Sequence, residues 1–329
     1  MRKNCVFFVE IKLILQFYDN KKTNYRKIHI KKTKGKIMKV LVLSSGGDAS
    51  GMNKFVCELY KKFKKDLYFS FAGFSGLIDS NIFPFENVYQ KGIENKAGSV
   101  IKSSRCPEFK QKTYFKKALK NVEDFDCAII MGGNGSEKGA KELFENKVNT
   151  IFVPGTIDND VDDSFYSIGF STAIKEAVYT IENTMPSIET MQNACLFEVM
   201  GRECDAIANA TAKQVGADYC IINKDTLDYQ KIENIILAKK IKNQSACIVV
   251  RENILPIDKI TKKINDDIGM DIAKYQIVGR TQRGGSPTKQ ELEMAKKFAD
   301  KVFECVNNQK FGVRILADKN LNIIVKKFK

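Results

Sequence analysis

The chain has 329 residues, of which 43% are hydrophobic and 28% are charged, and its formal net charge at pH 7 is +15. Because this length exceeds one typical core we expect two domains, and because no run of eighteen apolar residues occurs we expect no membrane partner. The nine cysteines are scattered without a CxxC spacing, which argues against zinc sites and disulfide frameworks and suits a reducing cytoplasm. The single histidine is His29, which argues against histidine-based catalysis.

The positive charge is concentrated in residues 1–37, which hold eleven Lys and Arg against two acidic residues and lack a clear pattern. We interpret this segment either as a basic N-terminal extension or as a start-site artefact upstream of Met38, and we favour the artefact. The remaining residues carry a net charge of +6, which suits an enzyme with anionic substrates and equally suits solvated surface lysines. Because the basic loops lack interleaved aromatic residues, we expect no nucleic-acid partner.

From Met38 onward, short and continuously apolar runs alternate with longer amphipathic stretches. This pattern is typical of an α/β protein with buried parallel strands. The predicted strands are 40–43, 67–72, 127–131, 150–153, 194–199, 219–222 and 246–250, and the predicted helices are 51–64, 138–145, 172–183 and 205–215. Ligands in such sheets bind at the carboxyl ends of strands, so the residues that follow each strand carry the functional information.

Two glycine-rich loops follow predicted strands. The first reads SSGGDASGMN over 44–53, and the second reads GGNGS over 132–136 with Gly139 one turn further on. Glycines at a strand-to-helix turn let backbone N–H groups approach an anion, and the helix N-terminus adds a favourable dipole. The first loop matches neither Walker A nor GxGxxG, and one such loop is a weak signal because tight turns also need glycine. Two of them in one sheet favour a polyphosphate ligand.

The segment PGTIDND over 154–160 follows the fourth predicted strand. In an extended chain Asp158 and Asp160 lie on one face and converge on a small volume. Two carboxylates there can hold Mg²⁺ and accept a hydroxyl proton. The alternative is a solvated acidic turn, which fits Asp162 and Asp163 well and fits Asp158 poorly, because Asp158 ends an apolar strand.

Arginines follow two further strands. EVMGR over 198–202 ends one strand, GRTQRGGSP over 279–287 follows another, and Glu252 closes a third, where it could bind sugar hydroxyls. Arginine binds phosphate through a planar fork and stays charged. Each residue by itself could be a surface charge, but the shared position at strand ends favours a phosphate site.

Together these loops resemble the phosphofructokinase family. The motifs that carry the resemblance run in family order from residue 38 to about residue 317, and they are SGGDASGMN (45–53), SSRCPEF (103–109), GGNGS (132–136), PGTIDND (154–160), EVMGR (198–202) and QRGGSP (282–287). The resemblance implies two Rossmann-like α/β domains with parallel-rich sheets, the phosphofructokinase fold. It also implies a cytoplasmic homotetramer that uses ATP and Mg²⁺ to phosphorylate the 1-hydroxyl of fructose 6-phosphate in glycolysis.

The expected domain boundaries follow from the same resemblance. Residues 38–169 with about 282–312 are expected to form a nucleotide-binding domain. Residues 170–281 with about 313–329 are expected to form a sugar-phosphate domain. The two domains are expected to face each other across a cleft that holds the site.

The resemblance also implies roles for single residues. Asp158 is the implied base for the sugar hydroxyl, and Thr156 and Arg202 are the other implied catalytic residues. Asp160 and Asn134 are the implied Mg²⁺ ligands. Phe74 is implied to stack on adenine. The implied nucleotide-binding residues are Gly47, Phe74, Arg105, Cys106, Gly133, Asn134, Gly135, Ser136 and Gly139. The implied sugar-phosphate residues are Thr156, Ile157, Asp158, Asn193, Met200, Gly201, Arg202, Glu252, Lys274, Arg280 and Arg283.

The chain departs from the family pattern at several positions. Asn134 replaces an aspartate that serves Mg²⁺, so metal affinity should fall. Asn193 and Lys274 stand where the family has two arginines lent by a neighbouring subunit, and only the lysine keeps a charge. Gly135 and Gly155 resemble ATP-using members, because pyrophosphate-using members usually carry Asp and Lys there. The alternative function is therefore a catalytically weak or re-specified homologue that acts as a binding or regulatory partner.

Overall fold

The structure is a computed structural model that describes residues 38–329. Our two interpretations of residues 1–37 concern a segment that lies outside the described residues. None of the helices in residues 38–329 combines the length and the apolar character that a membrane span needs.

The strands of the described chain form two sheets. The strands are β1 Val40–Ser45, β2 Leu67–Ser70, β3 Ile82–Pro84, β4 Ser103–Ser104, β5 Cys127–Gly132, β6 Thr150–Pro154, β7 Ala194–Val199, β8 Tyr219–Ile221, β9 Cys247–Arg251, β10 Ala273–Ile277, β11 Val313–Ala317 and β12 Ile323–Lys327. The larger sheet has the order β12-β11-β6-β5-β1-β2-β3 with β4 paired to β1, and the smaller sheet has the order β10-β7-β9-β8. Antiparallel pairing is confined to β2 with β3 and β11 with β12, so both sheets are mostly parallel.

Helices connect the strands, as parallel pairing requires. They are α1 Met52–Phe63, α2 Phe74–Ile78, α3 Lys112–Val122, α4 Asn134–Glu145, α5 Phe170–Thr190, α6 Ala206–Val215, α7 Tyr229–Ile241, α8 Ile257–Ile268 and α9 Lys289–Asn307. Short 3₁₀ turns cover Lys64–Asp66, Phe85–Asn87, Ile93–Asn95, Pro107–Lys110 and Gly279–Arg283. The α/β class is confirmed. Every predicted strand and helix is present, the strand 194–199 with its predicted ends and the others with at least one end shifted.

The C-terminal strands join the larger sheet, contrary to the domain expected for residues 313–329. We expected residues 313–329 in the sugar-phosphate domain, but β11 pairs in parallel with β6, and β12 then pairs with β11. The reason is that α9, which precedes β11, packs on α1 beside the larger sheet and returns the chain to that sheet. The other domain boundaries, and the division of functions between the domains, remain predictions.

The central strands β1, β5 and β6 of the larger sheet are buried on both faces, which explains why they read as continuous apolar runs. On β1, Val40 and Val42 belong to one core cluster, with α1 and α9 over that face. Leu41 and Leu43 belong to a second cluster, with α3 and α4 over the opposite face. The first cluster continues into the inner face of the smaller sheet, where Phe197 is fully buried.

Strand register brings three loops to one edge of the larger sheet. Ser45 at the end of β1 pairs with Gly132 at the end of β5, and Gly132 pairs with Pro154 at the end of β6. The two glycine-rich loops and the acidic segment 155–163 therefore start side by side.

A buried carboxyl joins the N-termini of two helices. Glu291, in the first turn of α9, accepts hydrogen bonds from Gly169 N at 2.8 Å, Thr172 Oγ1 at 3.2 Å and Ser171 Oγ at 3.1 Å, at the start of α5. Ser171 Oγ also lies 2.7 Å from the Oγ1 of Thr288, the N-cap of α9. The helix α5 leads from the larger sheet to the smaller one, and residues 284–288 lead back. Glu291 therefore links the two segments by which the chain passes between the sheets.

We predict that Glu291→Gln changes the pH dependence of stability. Burial raises the pKa of Glu291 from 4.5 to about 7 although four donors favour its charged form. The folded state therefore holds this proton more tightly than the unfolded state, and the resulting stabilisation is complete below pH 4.5 and lost as the pH rises through 7. Wild type should lose about 2 kcal/mol of unfolding free energy relative to Glu291→Gln between about pH 5 and about pH 8.

Denaturant titrations across this pH range measure the effect. Glu293→Gln is the matched control, because Glu293 is exposed on the same helix, and its stability should run parallel to that of wild type. A difference between wild type and Glu291→Gln that stays constant with pH would contradict the prediction.

Candidate active site

The first glycine-rich loop contacts the return segment from the smaller sheet. Arg283 Nη1 donates a hydrogen bond to the backbone oxygen of Asp48 at 2.8 Å, and a Cβ added at Gly47 would lie 2.5 Å from that nitrogen. Ser50 Oγ also donates to the backbone oxygen of Gly285. Glycine at position 47 thus leaves room for the Arg283 guanidinium, and the structure brings Gly47 and Arg283 together.

The second glycine-rich loop begins α4 at Asn134. Ser136 Oγ donates to Ser45 O at 3.1 Å and so ties this loop to the end of β1. A Cβ added at Gly133 would lie 3.7 Å from Thr156 Cβ, so this loop also borders the acidic segment. A helix N-terminus at this position offers free N–H groups and a positive dipole to an anion.

Asp158 is fully buried in the acidic segment. Its Oδ2 lies 3.0 Å from Arg202 Nε and accepts a hydrogen bond from Thr156 Oγ1 at 3.3 Å, whereas its Oδ1 is buried without a hydrogen-bond partner. Burial raises the pKa of Asp158, the Arg202 charge opposes that rise, and nearby Asp160 adds to it. An ionisable oxygen without a partner in a closed site is a candidate proton acceptor.

The backbone geometry around Asp158 differs from the expectation. We expected an extended chain with alternating aspartates after the strand, but β6 ends at Pro154 and Asn159 has a φ of +54°, in the left-handed region. The segment therefore turns between Asp158 and Asp160. The Asp160 carboxylate still lies close enough to raise the pKa of Asp158.

The second half of the acidic segment is anchored to the protein. We interpreted Asp162 and Asp163 as a solvated turn, but Asp163 lies 2.8 Å from Arg314 Nη2 and 3.0 Å from Lys329 Nζ, and these partners lower its pKa to about 2. Arg314 is 1% exposed and also reaches Glu137 at 3.2 Å. Asp162 fits the solvated interpretation better, because its side chain is 74% exposed.

The loop after β7 presents Arg202 to Asp158. Met200 N donates to Gln282 Oε1 at 2.8 Å, and the N–H groups of Gly201 and Arg202 donate to Glu252 Oε1 at 3.0 Å and 2.8 Å. The structure thus brings the EVMGR motif, Glu252 and the QRGGSP motif together. One Glu252 oxygen is engaged with the backbone, which leaves the other for a ligand.

Asn193 and Lys274 lie away from this cluster. Lys274 pairs in register with Cys195, the second residue of β7, and Asn193 immediately precedes β7. Arg202 and Glu252 follow the opposite, carboxyl ends of the parallel strands. Five residues of strand span about 16 Å, so Asn193 and Lys274 cannot join the site of their own chain.

The remaining residues implied to bind ligands have mixed surroundings. Phe74 is 4% exposed, its ring stacks on Phe109 with centroids 4.1 Å apart, and a Cβ at Gly139 would lie 2.7 Å from it. It is a core residue here and offers no open face to adenine, contrary to expectation. Ile157 is fully buried, which leaves only its backbone for a substrate. Among the implied ligand-binding residues not described above, those with exposed or half-buried side chains or backbone are Arg105, Cys106, Gly135 and Arg280.

The donors around Asp160 suit Mg²⁺ shared with a substrate. Residues 38–329 contain no group of three or more His, Cys, Asp or Glu side chains that could hold a metal alone. Mg²⁺ is usually held by one or two carboxylates together with substrate phosphates and water. Asp160 offers a carboxylate, and Asn134 Nδ2 donates to Asp160 O at 3.0 Å, which leaves the Asn134 carbonyl oxygen for a cation. The residues present therefore fit the ion.

The family model described as Phosphofructokinase matches residues 39–306. The chain belongs to the phosphofructokinase family. The resemblance stated from the motifs is thereby confirmed, and the match covers both glycine-rich loops, the acidic segment and both arginine loops.

Curated phosphofructokinases resemble the chain over most of its length. An ATP-dependent 6-phosphofructokinase of Mesomycoplasma hyopneumoniae (strain 7448) is 34% identical over 284 residues, which cover 84% of this chain and 88% of the relative. An ATP-dependent 6-phosphofructokinase of Spiroplasma citri is 34% identical over 270 residues, which cover 80% and 82%.

Solved phosphofructokinase structures share the fold. A phosphofructokinase from Saccharomyces cerevisiae matches with a TM-score of 0.78 at 22% identity, over 88% of this chain and 45% of that chain, so this chain spans less than half of the yeast chain. A pyrophosphate-dependent phosphofructokinase from Nitrosospira multiformis matches with a TM-score of 0.75 at 16% identity, over 88% and 82%. The expected phosphofructokinase fold is confirmed.

Gln282 and Arg314 support the site, but neither is among the residues that the sequence predicted for it. Gln282 is buried and joins Met200 N at 2.8 Å to Ala173 O at 3.5 Å; it lies inside the QRGGSP motif, which could have indicated it. Arg314 follows the first residue of β11, and an arginine within an apolar run was the available signal.

We predict that two glycine substitutions in the second glycine-rich loop have opposite outcomes. An alanine Cβ at Gly132 would overlap Ser136 Oγ and lie 2.5 Å from Ser45 O, whereas nothing lies within 4 Å of a Cβ at Gly135. Gly132→Ala should lower the unfolding free energy by about 1–3 kcal/mol through overpacking, and Gly135→Ala should change it by less than about 1 kcal/mol. Denaturant unfolding of both variants checks this, and equal effects would refute the placement of the loop against β1.

Proposed function

We propose that the chain transfers a phosphoryl group from ATP to the 1-hydroxyl of fructose 6-phosphate, giving fructose 1,6-bisphosphate. The observation that carries this proposal is the buried Asp158 carboxylate, which pairs with Arg202 at 3.0 Å beside two glycine-rich loops. The names of the relatives, ATP-dependent 6-phosphofructokinase, support it. The alternative of a catalytically weak binding homologue is not favoured, because the base and its arginine are both retained.

In the proposed reaction Asp158 is the general base. Oδ1 of Asp158 takes the proton of the sugar hydroxyl. At the same time the hydroxyl oxygen of the sugar forms a bond to the terminal phosphorus of ATP, and the bond between that phosphorus and ADP breaks. The elevated pKa that burial causes strengthens Asp158 as a base. Phosphoryl transfer needs mainly alignment and charge neutralisation, and Thr156 and Arg202 supply both beside Asp158.

Arginines and one glutamate are proposed to hold the sugar phosphate. Arg280 and Arg283 lie in the turn that follows β10, and their guanidinium groups suit a phosphate. Glu252 uses Oε1 for backbone N–H groups, so Oε2 is proposed to accept from sugar hydroxyls. Arg202 then contacts both the base and the transferring group.

The glycine-rich loops are proposed to hold the triphosphate of ATP. Mg²⁺, held by Asp160 and the Asn134 carbonyl oxygen, would neutralise phosphate charge. A Cβ at Gly155 would lie 2.5 Å from Met131 Cγ, so a lysine of the kind that pyrophosphate-using members carry does not fit without rearrangement. We therefore propose ATP rather than pyrophosphate as the donor.

We further propose a cytoplasmic homo-oligomer, a homotetramer by family resemblance. Asn193 and Lys274 lie at the strand ends remote from the site of their own chain, which suits residues that serve a neighbouring copy. The described cysteines, all of them free, suit a reducing compartment.

We predict that Asp158→Asn lowers kcat by about 10²–10⁴-fold, the usual contribution of a positioned general base. Binding of fructose 6-phosphate should change much less, because the arginines hold it. A coupled assay measures turnover with ATP, and the same assay with pyrophosphate should give little. Asp162→Asn is the matched control in the same segment, since its side chain is exposed, and it should retain wild-type turnover. Wild-type turnover in Asp158→Asn would mean that the base is another residue.

We predict that Asn134→Asp strengthens the use of Mg²⁺ with ATP. The substitution restores a carboxylate at a position where Asn134 now offers only a neutral oxygen, so the Mg²⁺ concentration for half-maximal rate should fall several-fold. Mg²⁺ titration of the rate at saturating fructose 6-phosphate measures this. Gln111→Glu, which adds the same charge at an exposed helix N-cap, is the control for net charge alone. An unchanged half-maximal concentration would exclude Asn134 from the metal site.

A further inference from the structure

Arg202 has an unusual backbone conformation. Its φ is +52°, in the left-handed region that a side chain other than glycine rarely adopts, and it follows Gly201 with a φ of +151°. Such a conformation persists when neighbouring groups determine it, and it occurs often at functional sites. The question is which groups hold the backbone of Arg202.

Two successive residues at the end of β9 form hydrogen bonds with the backbone N–H and the backbone C=O of Arg202. Glu252 Oε1 accepts from Arg202 N at 2.8 Å, and Arg251 Nη1 donates to Arg202 O. The glutamate is one of the residues that the resemblance implies as a sugar ligand. No motif indicated the arginine.

Arg251 is itself firmly held. It is 7% exposed, its Nε donates to Ile222 O at 2.6 Å, and it pairs with Asp205 at 3.1 Å and with Glu203 at 3.4 Å. The guanidinium thus joins the end of β8 to both ends of the turn 202–205. Only arginine offers several donors in one rigid plane, and a lysine ammonium cannot satisfy two carbonyls and a carboxylate with the same geometry.

We propose that Arg251 is a positioning residue that holds the Arg202 backbone in its left-handed conformation and thereby keeps the Arg202 side chain against Asp158. The chain of contacts is short: Arg251 binds Arg202 O, and Arg202 Nε lies 3.0 Å from Asp158 Oδ2. Arg251 binds the backbone of Arg202 directly, and we propose that it acts on the reacting groups through this contact. The kinetic consequence rests on the proposed function, whereas the structural consequence does not.

The kinetic test compares Arg251→Lys, Arg202→Gln and the double variant. If Arg251 acts through Arg202, Arg251→Lys should lower kcat/KM by about 10–10²-fold, the usual cost of a misplaced catalytic group. The double variant should then be no worse than Arg202→Gln alone, within about twofold. Effects that multiply would show that Arg251 acts independently of Arg202 and would overturn the proposal. If Arg251→Lys does not fold, Arg251→Gln, which keeps one amide donor, replaces it.

Two controls separate positioning from stability. Ile236→Ala removes a buried side chain of α7 that belongs to a core cluster of the smaller sheet. It should lower stability without changing kcat/KM. Asp205→Asn removes one partner of Arg251 but leaves the bond to Arg202 O, so kcat/KM should stay within about twofold of wild type. A loss in Asp205→Asn equal to that in Arg251→Lys would overturn the proposal in favour of a purely structural ion pair.

A crystal structure of the Arg251 variant gives a result that does not depend on activity. We expect Arg202 to leave the left-handed region and its Nε to move out of hydrogen-bond reach of Asp158. An Arg202 that keeps both its positive φ and its contact would overturn the proposal. If wild type shows no turnover at all, the proposed function fails, and this structure still decides the role of Arg251.

Discussion

The ion pair between Asp158 and Arg202 is the contact on which the site depends. Asp158 belongs to the segment after β6 of the larger sheet, and Arg202 follows β7 of the smaller sheet, so one contact of 3.0 Å joins the two sheets where the chemistry is proposed. A buried carboxylate without a countercharge is costly, and Arg202 offsets part of that cost. The pair leaves Oδ1 of Asp158 without a partner, which is the state that a proton acceptor needs.

Several buried groups make that contact possible by fixing the segments around it. Arg314 and its acidic partners hold the end of the acidic segment in place. Glu291 links the two segments by which the chain passes between the sheets. Arg251 and Glu252 hold the other side through the backbone of Arg202. Charged groups held in place by such contacts contribute to electrostatic preorganisation, which accounts for much of enzymatic rate enhancement.

Parallel strands also decide which residues can cooperate. The carboxyl ends of β1, β5 and β6 lie in register, and therefore both glycine-rich loops border the acidic segment. The same rule separates Asn193 and Lys274 from Arg202 by the length of a strand, although all three are implied to bind the same substrate. This separation is the observation that supports the homo-oligomer we propose.

The sequence by itself determined the α/β class, the strands with continuous apolar runs, the family and the set of loops at strand ends, because these follow from periodicity and from residues at fixed spacing in the chain. It did not determine that β11 and β12 join the larger sheet, that Phe74 is covered by Phe109, or that Asn159 turns the acidic segment. Nor did it indicate Arg251, Glu291 or Arg314, whose partners lie tens of residues or more away in the chain. Long-range pairing and burial decide these features, and a local pattern carries no information about which distant residue will cover or neutralise a given side chain.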